Sequence, residues 1–244
     1  MRAVGERTFA ILICLAVLGM GDLEAQQTPR PLKFEVASVQ EVSPNAAAPY
    51  RIDPAGLTIS GSLRILIIAS RGLLPMQVEG GPAWTSNTWF QIQARTPSAS
   101  TKAQIMEMLQ TLLADRFHLV VQRRVKMESG YALVVDKGGP KLPPLDEHPP
   151  GDEGGIAIGG GVRAHGATIK RLADGLWTVL QTPVVDQTKI EGRYDIRLRF
   201  DPPGAATRYG SVFTALREVG LKLEPRKVPV ESYTIVSVDR PVEN

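Results

Sequence analysis

QIMEMLQTLLADRFHLVVQRRVK, residues 104–126, changes its hydrophobic period in mid-stretch, and that change decides the fold class. Ile105, Met108, Leu109, Leu112 and Leu113 recur at i, i+3, i+4, i+7 and i+8, one apolar stripe of an amphipathic helix. Ser100 or Thr101 can cap it, because a hydroxyl there accepts from a backbone N–H that the first helical turn leaves unpaired. After Asp115 and Arg116 the period falls to two. Phe117, Leu119 and Val121 then point one way, and His118 and Gln122 the other. Residues 211–227, SVFTALREVGLKLEPRK, repeat the pattern, with Val212, Ala215, Leu216 and Val219 as the stripe and Gly220 as the stop. Each stretch runs on to an aromatic-led apolar segment, at residues 131–135 and 233–238. Each therefore predicts a helix followed by a β-hairpin.

Other anchors share this rhythm. Gly61 and Gly166, Phe90 and Tyr194, Phe117 and Leu221, and Tyr131 and Tyr233 stand 102 to 105 positions apart, in the same order and parity. Loop length costs little free energy, so hairpin loops can absorb such a drift. The expected fold class is α+β, with two tandem related β-α-β-α-β-β lobes joined by a Gly/Pro-rich linker. The expected boundaries are 26–136 for the first lobe, 137–161 for the linker and 162–244 for the second lobe. Between the lobes, GGPKLPPLDEHPPGDEGGIAIGGG is Gly, Pro and acid without apolar period, with room for a loose edge strand at 155–161.

Within the first lobe, residues 34–39 alternate as a strand. Residues 50–52 and 57–60 form a hairpin turned by Asp53-Pro-Ala-Gly56, and Ser62 caps a helix over 63–72. In the second, Ile169, Leu172, Ala173, Leu176 and Leu180 make a helix that Pro183 stops, with strands over 184–188 and 194–200.

Arg2 and Arg7 precede an apolar run over 9–20, and Ala25 offers a small cleavage edge. That run is shorter than the ~20 residues a spanning helix needs. Residues 1–25 are therefore expected to be a signal peptide, with contact to a membrane only during export and a periplasmic or extracellular destination. Cys14, the one cysteine, lies inside the signal, so the exported chain has no disulfide, thiolate ligand or cysteine nucleophile. The chain carries 28 basic and 25 acidic residues with signs interleaved, which does not suggest nucleic acid.

Candidates for chemistry are few. His118, His148 and His165 lack partners at metal-ligand spacing, and there is no serine elbow and no phosphate or dinucleotide loop, so neither metal nor cofactor is expected. Asp186, Glu191 and Asp195 stand close in sequence beside Arg193 and Tyr194. Paired carboxylates can hydrolyse glycosides, and the same acids equally suit turns and surface pairs. Trp84 and Trp89 flank a Gly-Pro turn, where an exposed aromatic pair stacks on sugars or peptides and a buried one packs the core.

Phe34-Glu-Val-Ala-Ser-Val39, Gly80-Gly-Pro-Ala-Trp84, Leu112-Leu-Ala-Asp-Arg-Phe117, Pro183-Val-Val-Asp-Gln-Thr188 with Gly192-Arg-Tyr-Asp195, and the closing Arg240-Pro-Val-Glu-Asn244 form a specific set. Together they resemble an exported, heavily paralogous domain of unknown function found in soil Acidobacteria of the Solibacter type. The resemblance spans nearly all of the chain beyond residue 25. It implies an exported bacterial protein and brings no catalytic residues. In some relatives a similar domain looks joined to a membrane metallopeptidase of the β-lactam-sensor type, which implies a sensory or binding role; the HExxH signature is absent here. The expectation is a non-catalytic envelope module that binds a protein, peptide or cell-wall glycan fragment. The alternatives are a cofactor-free hydrolase using Asp186, Glu191 and Asp195, and a sensor-type ectodomain.

Overall fold

Local signals place the helices. A computed structural model of the chain describes residues 31–46, 48–143, 155–159, 161–201 and 209–241. The expected export signal and the acidic middle of the linker lie outside these residues. Strand β1 (Val36–Val42) is followed by a hairpin of β2 (Arg51–Asp53) and β3 (Gly56–Ser62). Asp53 closes that turn by accepting from the Ala55 N–H at 2.9 Å, which with Arg51 alongside holds its carboxyl below the ordinary range. Ser62 caps α1 (Leu63–Arg71), and Gly72 ends it at a positive φ of 62°. Next come β4 (Val78–Gly80), the single turn α2 (Trp84–Asn87) and β5 (Trp89–Arg95).

Helix α3 (Lys102–Phe117) opens on a reciprocal capping box between Thr101 and Gln104, and its C-cap His118 turns left-handed at φ 45°. It ends after Phe117, a little beyond the Asp115-Arg116 boundary read from the period. Strand β6 (Val120–Val135) follows directly. The C-terminal half supplies β7 (Gly155–Ile158), β8 (Val162–Ala167), α4 (Ile169–Leu180), β9 (Val184–Asp186), β10 (Tyr194–Leu198), α5 (Val212–Glu218) and β11 (Leu221–Ser237). Thr168 caps α4 and Ser211 caps α5.

Among the described residues three sheets result, in a mixed α+β architecture. One is β1-β5-β3-β2, wholly antiparallel; the second is β10-β8-β7, also antiparallel. The third is β4-β11-β6-β9, in which the central pair is antiparallel and each outer strand runs parallel to its neighbour.

The two predicted hairpins are not formed. β6 is one strand of 16 residues and β11 one of 17, and they pair with each other along their whole length, from Leu221–Val135 to Ser237–Val120. Arg123, Arg124 and Lys126 are therefore not at a turn but in the exposed middle of a two-stranded ribbon. Gly130 lies inside β6 because the chain passes close there: a Cβ would lie 2.5 Å from the carbonyl oxygen of Pro183. From β3 to β6, setting aside the single turn α2, and from β8 to β11 the order is β-α-β-β-α-β, not β-α-β-α-β-β.

Both halves feed the ribbon and are fed by it. One core gathers Phe90, Ile92, Leu66, Leu109, Leu113 and Phe117, with Phe90 edge-on to Phe117 at 5.0 Å between ring centroids, and takes Ile235 from β11. The other gathers Ile169, Leu172, Leu176, Ile196 and Leu216, and takes Ala132 and Leu133 from β6. Burying each large side chain contributes about 1.5–3 kcal/mol. The described residues fall within one compact unit.

Candidate functional site

The ribbon has two outer edges, and they differ. The Tyr131 N–H donates to Pro183 at 2.8 Å and the Leu133 carbonyl accepts from the Gln187 N–H at 2.9 Å, both across the β9 side. In an antiparallel pair, N–H and C=O of one residue face the same way and alternate along the strand. Odd-numbered residues of β6 therefore turn their backbone groups away from β11. At Val121, Arg123, Val125, Met127 and Ser129 these groups meet no backbone partner among the described residues. Val125 and Met127 are 54% and 59% exposed.

The facing strand offers no such edge. Pro225 and Pro229 pair with Tyr131 and Met127, so they occupy outward positions where the missing N–H removes no ladder bond. Two of the outward donors on β11 are thus absent from the covalent structure. A third outward position is covered, since Gln77 Nε2 donates to the Glu231 carbonyl at 3.0 Å. At the same level the Arg123 guanidinium grips the Glu231 carboxylate through two nitrogens, and the Tyr233 hydroxyl donates to it at 3.2 Å. The Arg123 hydrogen bond holds the Glu231 carboxyl below its ordinary value, while burial pushes the Tyr233 phenol up.

A second candidate surface lies on β1-β5-β3-β2. Phe90, Ile92 and Ala94 face the core, so Trp89, Gln91, Gln93 and Arg95 share the opposite face of β5. Of that row Gln93 and Arg95, with Ser38, Thr58, Arg51 and Asp53, border a shallow hollow of about 520 Å³. Gln91 Oε1 accepts from the Ala48 N–H at 3.1 Å, and the Ser60 hydroxyl on the same face is buried without a partner. The two tryptophans separate. Trp84 packs edge-on to Phe90 at 6.2 Å under the Arg240 guanidinium, whereas half-buried Trp89 belongs to the amide-bearing row.

The three predicted carboxylates are differently engaged. Asp186 accepts from the N–H and hydroxyl of Thr188 at 2.9 and 2.8 Å, a turn-closing role. Glu191 is exposed, and its backbone carbonyl, not its carboxylate, accepts from the Tyr194 hydroxyl at 2.8 Å. Asp195 sits on β10 and accepts from the Gly166 N–H at 2.9 Å, with His165 Nδ1 2.7 Å away. The sequence reading set His165 aside as solitary. Only the β8–β10 register brings it to Asp195, on the face of a second hollow of about 450 Å³.

Among the described residues no group of three or more His, Cys, Asp or Glu side chains converges as a metal site would. No described helix is long and apolar enough to cross a membrane. A family model described as a protein of unknown function, DUF3738, matches residues 65–238. The chain significantly matches no curated protein and no solved structure.

Proposed function

The chain belongs to the DUF3738 family of unknown function, and we propose from its geometry that it is a non-catalytic envelope module taking an extended acidic peptide as an added strand along β6. The observation that carries this reading is the inequality of the two ribbon edges. Unpaired sheet edges invite association, and proteins commonly block them. Pro225 and Pro229 block β11, whereas β6 presents five successive outward donor–acceptor positions with no proline among them. In strand addition, main-chain hydrogen bonds supply affinity and alternate side chains supply selectivity. With Arg123 paired to Glu231, Arg124 and Lys126 against the single β6 acid Glu128 favour a ligand of negative charge.

The repeated β-α-β-β-α-β order supports a tandem duplication across the 137–161 linker, after which one copy kept an open edge and the other lost it. Export past a cleaved 1–25 signal, a place in the periplasm or outside the cell, and membership of an expanded acidobacterial set belong to the same proposal.

A test is selection from a library of short linear peptides by the wild-type protein and by Val125→Pro, with unfolding curves for both. Acidic, extended peptides enriched by wild type and lost in the variant, whose fold is intact, are the expected result. Equal retention by both proteins, or no enrichment by either, overturns the proposal. One observation favours a second reading, a cell-wall glycan on the β1-β5-β3-β2 face. There Trp89, Gln91 and Gln93 align beside the unpartnered Ser60 hydroxyl. Gln93→Ala would weaken glycan binding and leave peptide capture unchanged.

A further inference from the structure

Arg163 on β8 and Arg197 on β10 stand directly opposite each other in an antiparallel pair. Like charges at such positions destabilise a sheet, because their side chains share one face a few ångströms apart. Both side chains are exposed, and no acid stands opposite either of them in the sheet. Ala157 is the neighbour of Arg163 on the β7 side, and it is uncharged. The nearby acid, Asp195, is engaged elsewhere, with the Gly166 N–H and His165 Nδ1 on its Oδ1. Among the described residues neither the Arg163 nor the Arg197 side chain makes an ion pair or hydrogen bond, and both line the 450 Å³ hollow.

The corresponding place in the other half shows the contrast. On β3 and β5, Thr58 is directly opposite Gln93, a neutral pair beside its own hollow. The strand order and the exposed face are alike, but the chemistry has changed from hydroxyl and amide to two guanidiniums. A planar guanidinium presents paired donors matched to a carboxylate or phosphate, and it remains charged at any physiological pH. Two of them face to face form a fork that a single oxyanion can bridge.

We propose that the β8–β10 face is an oxyanion-binding site, with a carboxylate or phosphate group seated between Arg163 and Arg197. Asp195 lines the same hollow, its Oδ1 taken up by the Gly166 N–H and by His165 Nδ1. This site is separate from the β6 edge, so each proposal stands or falls without the other.

The test uses the full chain. Thermal unfolding and heteronuclear NMR of the arginine side chains would be followed during titration with inorganic phosphate, and separately with acetate, against chloride at matched ionic strength. The companion is the double variant Arg163→Thr/Arg197→Gln, which installs the pair already tolerated on β3 and β5. Wild type should gain melting temperature with at least one of the two anions, and its Arg163 and Arg197 signals should shift. In the double variant apparent affinity should fall at least tenfold, and the anion-free melting temperature should rise. A response to acetate alone identifies a carboxylate ligand; a response to phosphate alone identifies a phosphorylated one. No response in wild type to either anion, or an equal response in the double variant, overturns the proposal. Val125→Pro should keep the full anion response.

Discussion

Moving a proline by one residue along β6 tests the backbone geometry on which the binding proposal depends. Lys126 pairs with Val230, and its even parity turns its N–H and C=O toward β11. Lys126→Pro deletes one ladder hydrogen bond, worth about 1 kcal/mol, and strands the Val230 carbonyl on a residue only 6% exposed. Leaving such an acceptor unpaired costs a further ~1–3 kcal/mol, so the total loss is ~2–4 kcal/mol. Val125 has the opposite parity. Its N–H points outward, its side chain is 54% exposed, and Pro225 and Pro229 already occupy the same kind of position on the facing strand. Val125→Pro removes no ladder bond, and the gain from a stiffer unfolded chain, ~0.4–1 kcal/mol, offsets the tightening of φ. Its stability should stay within about 1 kcal/mol of wild type. Urea unfolding followed by circular dichroism gives both values from midpoints at a common slope. Equal losses in the two variants, or a larger loss for Val125→Pro, would refute the assigned direction of the β6 edge.

Three further outcomes are expected. Gly130→Ala places a Cβ 2.5 Å from the Pro183 oxygen and 2.9 Å from a Val228 methyl, so β9 must retreat; urea midpoints should register a loss of about 1–3 kcal/mol. Asp186→Ala opens the turn at Thr188 and should cost roughly 1–2 kcal/mol of stability. If a hydrolytic activity is found on a glycan or peptide, Asp186→Ala should leave its rate unchanged; abolition would restore the carboxylate-hydrolase reading. Glu231 gives a pH signature. Its folded-state pKa is depressed by Arg123, so the unfolded chain takes up the proton first as pH falls. The stabilisation is therefore complete above the ordinary value of 4.5 and is lost progressively below it. Unfolding midpoints should decline more steeply on acidification for wild type than for Glu231→Gln, and parallel declines would contradict the pairing.

Each part of the molecule that the sequence made legible depends on contacts within a few residues. The stripes at Ile105–Leu113 and Ile169–Leu180 gave α3 and α4, and hydroxyl caps marked helix starts at Ser62 and at Thr101, one of the two residues read for that place. Asp53 announced its hairpin through a bond two residues long. The ribbon was misread because residues 122–129 are exposed on both faces. A strand without a buried face needs no alternation, so neither its continuity nor its partner is written in a period.

The carboxylates divided along the same line. Asp186 bonds Thr188 two positions away, and a turn was among the roles foreseen for it. The meeting of Asp195 with His165, and of Arg197 with Arg163, required β10 to lie against β8 in one register, with a bulge between Tyr194 and Ile196. Nothing near either residue in sequence encodes that.

The amino-acid order alone thus determined the helices, their caps, the tight turns and the α+β class, because those arise from interactions reaching no further than about one helical turn. Tertiary structure alone decided that β6 and β11 run unbroken through both halves, which ribbon edge stays open, and which charges face each other. Those outcomes depend on pairing between segments far apart in the chain, where register and sheet order, not residue type, select the neighbours.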